Sequence, residues 1–515
     1  MKTEFTQKQA LEKLRSGKNI FLTGLPGTGK SYIIKQYISE LQEQNKQVLI
    51  CAPTGIAALN IGGVTMHQAF SIPIPAYGHY ITEITNSKVK AALTADVIII
   101  DEISMCRNDV FEYFGYAIDY INKAGRNPQV IVIGDMFQLP PVVPEAEKTK
   151  MRRYGFDSDG YCFTSRYWKK FKFTPVVLTE IYRQQDKEFI DNLGLLRIGD
   201  QSCIEYFNKR VVDDVDNMFF PNTIQICSTN AAAQEINDAE LSKLDSPACI
   251  YKMKKEKFCP KETVAEENLI LKEGARVMFI ANDVIGKEYT NGEFGTVTLC
   301  LDKYVRVLKD NNEEISVFPH KWQVCDVKTN GSVIEKKEVG NYTQLPLKLA
   351  YCVTMHKTQG QTYDSAIITP YSFANGQLYV ALSRVKTIDG LYLTTPISEK
   401  DIKADKTICA FYETFNYDVS DKDVEKRKKL DKAAADKKKK KSSKKTTKKT
   451  TSKTSTTKSN KSTTSSKSKT KATSKSKAKT TSKTTKKTTS AKKATAKSTN
   501  KSATKSSTRK TTKNK

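Results

Sequence analysis

The sequence predicts an α/β protein with two parallel-sheet units, a small β-barrel-like insertion in the second, and a disordered basic tail. Three observations predict this. Short apolar runs alternate with helix-length amphipathic stretches, first near the start and again after Pro175. Between residues 273 and 341 that rhythm gives way to short alternating strands. After Leu430 no aromatic, Val, Ile, Leu, Met, Gly or Pro occurs at all.

The elements follow in order. Residues 19–23, Asn-Ile-Phe-Leu-Thr, read as a buried strand leading into a helix over 30–43. The runs 47–51, 96–100 and 129–133 read as further strands, with a helix over 109–124. Apolar strands alternating with helices indicate a parallel sheet covered on both faces. The stretch 71–95 lacks this rhythm and reads as a small insertion. A second α/β pattern begins near Pro175, with a polar helix around 186–197 and strands at 223–227, 348–353, 366–368 and 390–393. Within it, Tyr304-Val-Arg-Val-Leu308 and Glu314-Ile-Ser-Val-Phe318 flank Asp310-Asn-Asn312, a hairpin pattern. The divisions implied are 1–174, 175–420 and 421–515.

Charge is distributed unevenly. The formal net charge is +29, and residues 431–515 hold 31 Lys and Arg against 2 Asp, which leaves 54 basic and 54 acidic residues before them. The folded part is therefore electrically balanced, and only the tail argues for a polyanionic partner. A Lys/Ser/Thr/Ala segment buries too little apolar surface to offset its ordering entropy, so it is expected to be disordered. Its lysines suit non-specific tethering to nucleic acid through counterion release. Lys437-Lys-Lys-Lys-Lys441 also fits a nuclear import signal in a eukaryotic host. The 11 cysteines are scattered singly, with no C-x-x-C pair, which suits a reducing compartment and argues against zinc or iron–sulfur. The polar start, Met1 to Lys18, is not a signal peptide, and no apolar run reaches the ~20 residues of a membrane span. A soluble, intracellular protein without a membrane partner is expected. His79 and His320 read as surface residues, and Trp168 reads as core.

The chemistry begins at Gly24-Leu-Pro-Gly-Thr-Gly-Lys-Ser31. It fits the phosphate-loop spacing and lies between a strand and a helix, the context that pattern requires. Gly24, Gly27, Thr28 and Gly29 would close backbone N–H groups around phosphates, with the helix start adding a favourable dipole. Lys30 would reach the β- and γ-phosphates of ATP, and Ser31 would ligate Mg2+. Asp101-Glu102 ends an apolar strand, where Asp101 would hold the metal through water and Glu102 would deprotonate the attacking water. The plainer reading of that pair is a solvated turn. Gln138, in Gly134-Asp-Met-Phe-Gln-Leu-Pro-Pro141, is suited to sensing a γ-phosphate, although such a loop is more often merely stiff. Arg183 and Arg384 lie in the second α/β pattern, and by themselves read as surface arginines.

Taken together, these residues resemble the PIF (petite integration frequency) family of superfamily 1B DNA helicases, and more distantly RecD. The resemblance spans residues 3–397, with the motifs in family order. Phe5-Thr-Gln-Lys-Gln9 resembles the adenine-reading motif, with Gln9 as reader. Residues 24–31, 101–105 and 134–141 match motifs I, II and III, and Ala52-Pro-Thr-Gly-Ile-Ala-Ala58 with Thr65-Met-His67 resembles motif Ia. Glu180-Ile-Tyr-Arg-Gln-Gln-Asp186 through Leu196-Arg-Ile-Gly199 resembles motif IV and its following signature. His356-Lys-Thr-Gln-Gly360 and Tyr379-Val-Ala-Leu-Ser-Arg384 match motifs V and VI. The resemblance implies two RecA-like domains with ATP between them, Gln138 as γ-phosphate sensor, and Arg183 and Arg384 as arginine fingers. It implies an SH3-like insertion at 273–341 and a strand-separating wedge at 71–95. It implies movement 5′ to 3′ along single-stranded DNA and unwinding of tailed duplex DNA, with repair, recombination, replication and telomere roles within the family's range. Pro53, Thr54, His67, Thr354 and His356 are the candidate DNA contacts, with Phe137 stacking on bases. A monomer is favoured, working at the site of DNA replication, or in the nucleus of a eukaryotic host. The rival readings are an RNA-directed motor, a translocase without unwinding, and a DNA-tethering or condensing protein acting through its tail.

Overall fold

The computed structural model describes residues 4–79, 83–212, 223–259, 263–283, 286–330 and 333–415. The basic tail, and the disorder expected of it, lie outside the described residues.

The first unit is built on a seven-stranded sheet. Its spatial order is Glu4–Phe5, Thr174–Leu178, Ile20–Gly24, Gln129–Ile133, Val97–Ile100, Val48–Ala52, Val64–Thr65, and every pairing is parallel. Side chains alternate across a strand, so consecutive apolar residues serve two cores. Ile20, Leu22, Val97, Ile99, Ile131 and Ile133 pack under the helices Gln7–Leu14 and Lys30–Glu43. Phe21, Ile98, Ile100, Val130 and Val132 face the helix Asn108–Lys123. This is why these strands read as unbroken apolar runs. Trp168 is buried in the second of these cores.

Several sequence expectations need correction. The strand Thr174–Leu178 does not open the second unit, because it pairs with Ile20–Gly24 in the first sheet (Phe21 with Pro175, Gly24 with Leu178). Pro175 is tolerated there because Glu4–Phe5 covers only Val177 and Leu178, leaving its other edge unpaired. The helix at 186–197 is Lys187–Ile198, and it is not simply polar, since Phe189, Asn192, Leu193, Leu195, Leu196 and Arg197 are buried. The run 348–353 is two strands. Leu347–Leu349 closes an antiparallel sheet against Arg276–Phe279, and Cys352–Thr354 enters a parallel one beside Ile224–Cys227. A continuous apolar run does not reveal a change of sheet halfway along it.

The second parallel sheet has four strands, in the order Cys352–Thr354, Ile224–Cys227, Ala366–Ile368, Leu391–Leu393. Antiparallel structure extends on both sides of 273–341, from Cys249–Lys252 to Leu347–Leu349. It includes a five-stranded sheet whose hairpin pairs Val305 with Val317 and Leu308 with Glu314. Asn312 supplies the positive φ (66°) of its turn. A long hairpin, His320–Asn330 with Val333–Gln344, reaches the first unit. There Gln68 Nε2 donates to Cys325 O at 2.9 Å, and Ile334 N donates to Gln47 Oε1 at 2.9 Å. The stretch 71–95 contributes Ile84, Val89, Ala91 and Ala92 to the core that holds Phe21 and Trp168, and carries the helix Lys90–Thr94. The last described helix, Lys406–Glu413, returns to the first sheet. Phe411 stacks on Phe163 at 4.2 Å, and Tyr412 Oη lies 2.8 Å from Thr23 Oγ1. Among the described residues, no helix is long and apolar enough to cross a membrane.

Candidate active site

The phosphate loop leaves the strand Ile20–Gly24 and ends in the 14-residue helix Lys30–Glu43. Gly29, at φ 83°, is its N-cap, and no side chain caps the helix. The N–H groups of the first turn therefore have no side-chain acceptor, as an anion site requires. Gly27 is required by proximity, because a Cβ there would sit 2.4 Å from Arg183 Cβ. Lys30 Nζ donates to Gly24 O at 2.8 Å and Leu25 O at 3.1 Å. Thr28 Oγ1 donates to Leu25 O at 2.8 Å, tightening the loop.

Three cations converge here. Lys30 comes from the first unit, Arg384 follows the helix Gln377–Leu382 of the second, and Arg183 lies on the crossover between them. Arg183 was expected within the second unit. Instead Tyr182 N donates to Gly27 O at 2.8 Å, which lays its segment on the phosphate loop. Arg183 Nη1 donates to Ser383 O at 3.1 Å. Arg384 is 2% exposed, donating from Nε to Val380 O at 2.8 Å and from Nη2 to Ser383 Oγ at 2.9 Å. These bonds go to carbonyls and a hydroxyl rather than to carboxylates. Burial and the neighbouring Arg384 push the Arg183 guanidinium down to about 9, and burial also lowers Lys30 and Arg384. The nearby carboxylates of Glu102, Asp101 and Asp135 offset part of this positive charge, and polyphosphate has the further charge and the acceptor geometry that the guanidinium groups suit.

The acidic pair ends the strand Val97–Ile100. Asp101 Oδ1 accepts from Glu102 N at 2.9 Å, and Glu102 Oε2 accepts from Gln359 Nε2 at 2.8 Å. Burial, then the adjacent Asp101, raise the Glu102 carboxyl to about 7, and burial raises Asp101 as well. Ser31, Asp101, Glu102, Thr54, His356 and Gln359 line one cleft of about 420 Å³. Among the described residues, no group of three or more His, Cys, Asp or Glu could hold a metal by itself. One hydroxyl and one carboxylate nonetheless fit Mg2+, which usually keeps water and phosphate oxygens as its other ligands.

Gln138 is 7% exposed, and its backbone touches the second unit, because a Cβ on Gly376 would lie 2.6 Å from Gln138 O. Gln9 Oε1 accepts from Thr6 N at 3.3 Å in a capping box, while Gln7 Nε2 donates to Thr28 O at 3.1 Å. Gln7 thus stands between the Gln9 helix and the phosphate loop. Neither Gln7 nor Gln359 was singled out from sequence, although both fall inside segments that were.

The nucleic-acid candidates divide. Thr54 and His356 face the cleft, Pro53 is half-buried beside Thr54, and His67 lies on the helix Met66–Phe70, next to the residue that meets the long hairpin. Phe137 is a correction. It is 2% exposed, with the Arg197 guanidinium 4.1 Å from its ring centre and Tyr412 stacked on it at 5.3 Å, so no base can reach it. Thr354 is also corrected as a surface contact, since it is 3% exposed at the end of its strand. An aromatic or hydroxyl side chain after a strand gives no local sign of what covers it. The sequence also missed a buried hub around Asp135. Arg197 Nη2 pairs with it at 2.9 Å, and Tyr379 Oη lies 3.3 Å away.

The chain is similar to known proteins of one family. A family model described as PIF1-like helicase matches residues 4–200. The ATP-dependent DNA helicase Pif1 of Campylobacter jejuni is 31% identical over 446 residues, covering 79% of this chain and 97% of the relative. The crystal structure of Bacteroides sp Pif1 in complex with ADP-AlF4 superposes with a TM-score of 0.71 at 31% identity, covering 81% of this chain and 97% of that one. The structure of Bacteroides Pif1 bound to ssDNA superposes at 0.58 and 30% identity, with the same coverage.

Proposed function

The chain belongs to the PIF1-like helicase family, and from that membership we infer that it is an ATP-dependent DNA helicase, an enzyme that hydrolyses ATP to separate strands. The observation that carries this reading onto these residues is the meeting of Lys30, Arg183 and Arg384 at one phosphate loop. Lys30 and the start of its helix hold the phosphates. Arg183 and Arg384 neutralise charge that grows on the γ-phosphoryl group, and doing so draws the two units together. Glu102, oriented by Gln359, takes the proton of the attacking water. Gln138 positions the γ-phosphate from the interface. Ser31 and Asp101 hold Mg2+, which screens the phosphate oxygens when bound. Gln9, with Gln7 beside it, reads the adenine.

Single-stranded DNA is the track, and tailed duplex DNA is the substrate. Pro53, Thr54, His67 and His356 grip the strand, and repeated closure moves the protein 5′ to 3′ as a monomer. The Lys-rich tail adds sequence-independent affinity for nucleic acid. The deciding experiment is strand separation on two DNA duplexes identical except for a 5′ or a 3′ single-stranded tail. Unwinding of the 5′-tailed duplex alone, lost in Lys30→Ala, is expected. Unwinding of the 3′-tailed duplex alone would overturn the direction, and activity surviving Lys30→Ala would overturn the site.

A further inference from the structure

Bases present flat apolar faces, and proteins that hold single strands place exposed aromatic rings against them. Phe137 is covered, so that role falls elsewhere. The loop that follows the strand Ala366–Ile368 carries two aromatics in the opposite condition, with Tyr371 58% and Phe373 52% exposed. A single exposed ring is ordinary on a protein surface. Here there are two on one loop, and the loop is firmly fixed. Gln377, fully buried, accepts from Phe373 N at 3.0 Å and Ala374 N at 3.1 Å. Lys403 Nζ donates to Ser372 O at 2.6 Å, and Thr369 N donates to Ile226 O at 2.9 Å. The backbone around the two rings is thus tied to a helix, to a following segment and to the sheet. A loop held this way loses little backbone freedom when a base settles on its rings.

The position of Phe373 is equally specific. The Phe373 ring centre lies 6.5 Å from that of His356, and the planes are 25° from parallel. His356 lines the cleft shared by Thr54 and Glu102. The loop leaves the carboxyl end of a parallel strand, beside the carboxyl ends of Ile224–Cys227 and Cys352–Thr354. Open parallel sheets bind their ligands outside that edge.

We propose that Tyr371 and Phe373, with His356, form a base-stacking platform for single-stranded DNA on the second unit. The proposal rests on the DNA-directed reading above. Stacking uses the ring face that every base has, so the platform serves any sequence, as a motor requires.

The test is an anisotropy titration of the full chain with two labelled oligomers of equal length, oligo-dT and an abasic deoxyribose-phosphate chain. Both carry the same phosphates, so the basic tail and the backbone contacts bind them alike, and only oligo-dT can stack. Phe373→Ala is expected to weaken oligo-dT binding about five- to a hundredfold, leave abasic binding unchanged, and be rescued by Phe373→Trp. Tyr371→Ala is expected to act in the same direction. The platform is overturned if Phe373→Ala leaves oligo-dT affinity unchanged, or weakens both oligomers equally. It is also overturned if Phe373→Trp fails as badly as alanine. A wild-type chain that binds neither oligomer would instead sink the DNA-directed reading itself.

Discussion

Glu102 is a carboxyl whose environment sets its chemistry. Burial and Asp101 hold its proton up to about pH 7, so the basic form needed to accept a proton from water is lost as pH falls below that. The kcat/KM for ATP in the presence of DNA should therefore rise between pH 6 and pH 8, with a midpoint ~7. Glu102→Gln should remove both the activity and the profile. A flat profile in the wild type would show that Glu102 is not the base. Asp135 and Arg197 make a different kind of pair, at 2.9 Å with both side chains buried. Arg197→Ala leaves a buried carboxylate without its guanidinium, a loss of about 3–5 kcal/mol measurable by urea unfolding. At this scale the sequence was readable wherever position follows from spacing. Lys30, Ser31, Asp101 and Glu102 sit at fixed offsets from strand ends. Phe137 and Arg197 were not readable, because burial is conferred by residues far away in the chain.

The helix Lys406–Glu413 shows the same limit at the level of an element. No helix is read there from the sequence, and its apolar residues by themselves name no host. It docks on the first sheet, where Tyr412 Oη takes a hydrogen bond from Met136 N at 3.2 Å besides its contact with Thr23. Tyr412→Phe keeps the ring and strands those partners, so a loss of about 1–3 kcal/mol is expected in urea unfolding. A neutral result would mean that water replaces the hydroxyl. Four of the seven strands of the first sheet were legible to within a residue, since four or five consecutive apolar residues leave little choice, whereas the two-residue strands Glu4–Phe5 and Val64–Thr65 are too short to show a pattern. The boundary near Pro175 and the run 348–353 were not, because pairing partners are decided across space.

On the scale of the whole molecule, the proposed mechanism makes catalysis depend on closure around the phosphates. Arg183 reaches the loop from the crossover, so Arg183→Ala should lower the DNA-stimulated kcat by about 10³-fold or more while changing the KM for ATP little. A change confined to KM would make Arg183 a binding residue only. The tail gives a second test. Removing 431–515 takes away 31 of the 85 basic residues, so DNA affinity at low salt should fall and its salt dependence should flatten, with DNA-stimulated ATPase retained. Loss of all activity on truncation would favour the tethering reading. The sequence by itself determined the fold class, the phosphate-loop pattern, the family and the isolated charge of the tail, because each is written in local spacing or composition. Only the tertiary structure decided that Thr174–Leu178 joins the first sheet, that the last helix returns to it, that Arg183 lies on the phosphate loop, and that Phe137 is covered while Phe373 is exposed. Each of these depends on which distant segments meet, and a meeting of distant segments leaves no periodicity in the chain that makes it.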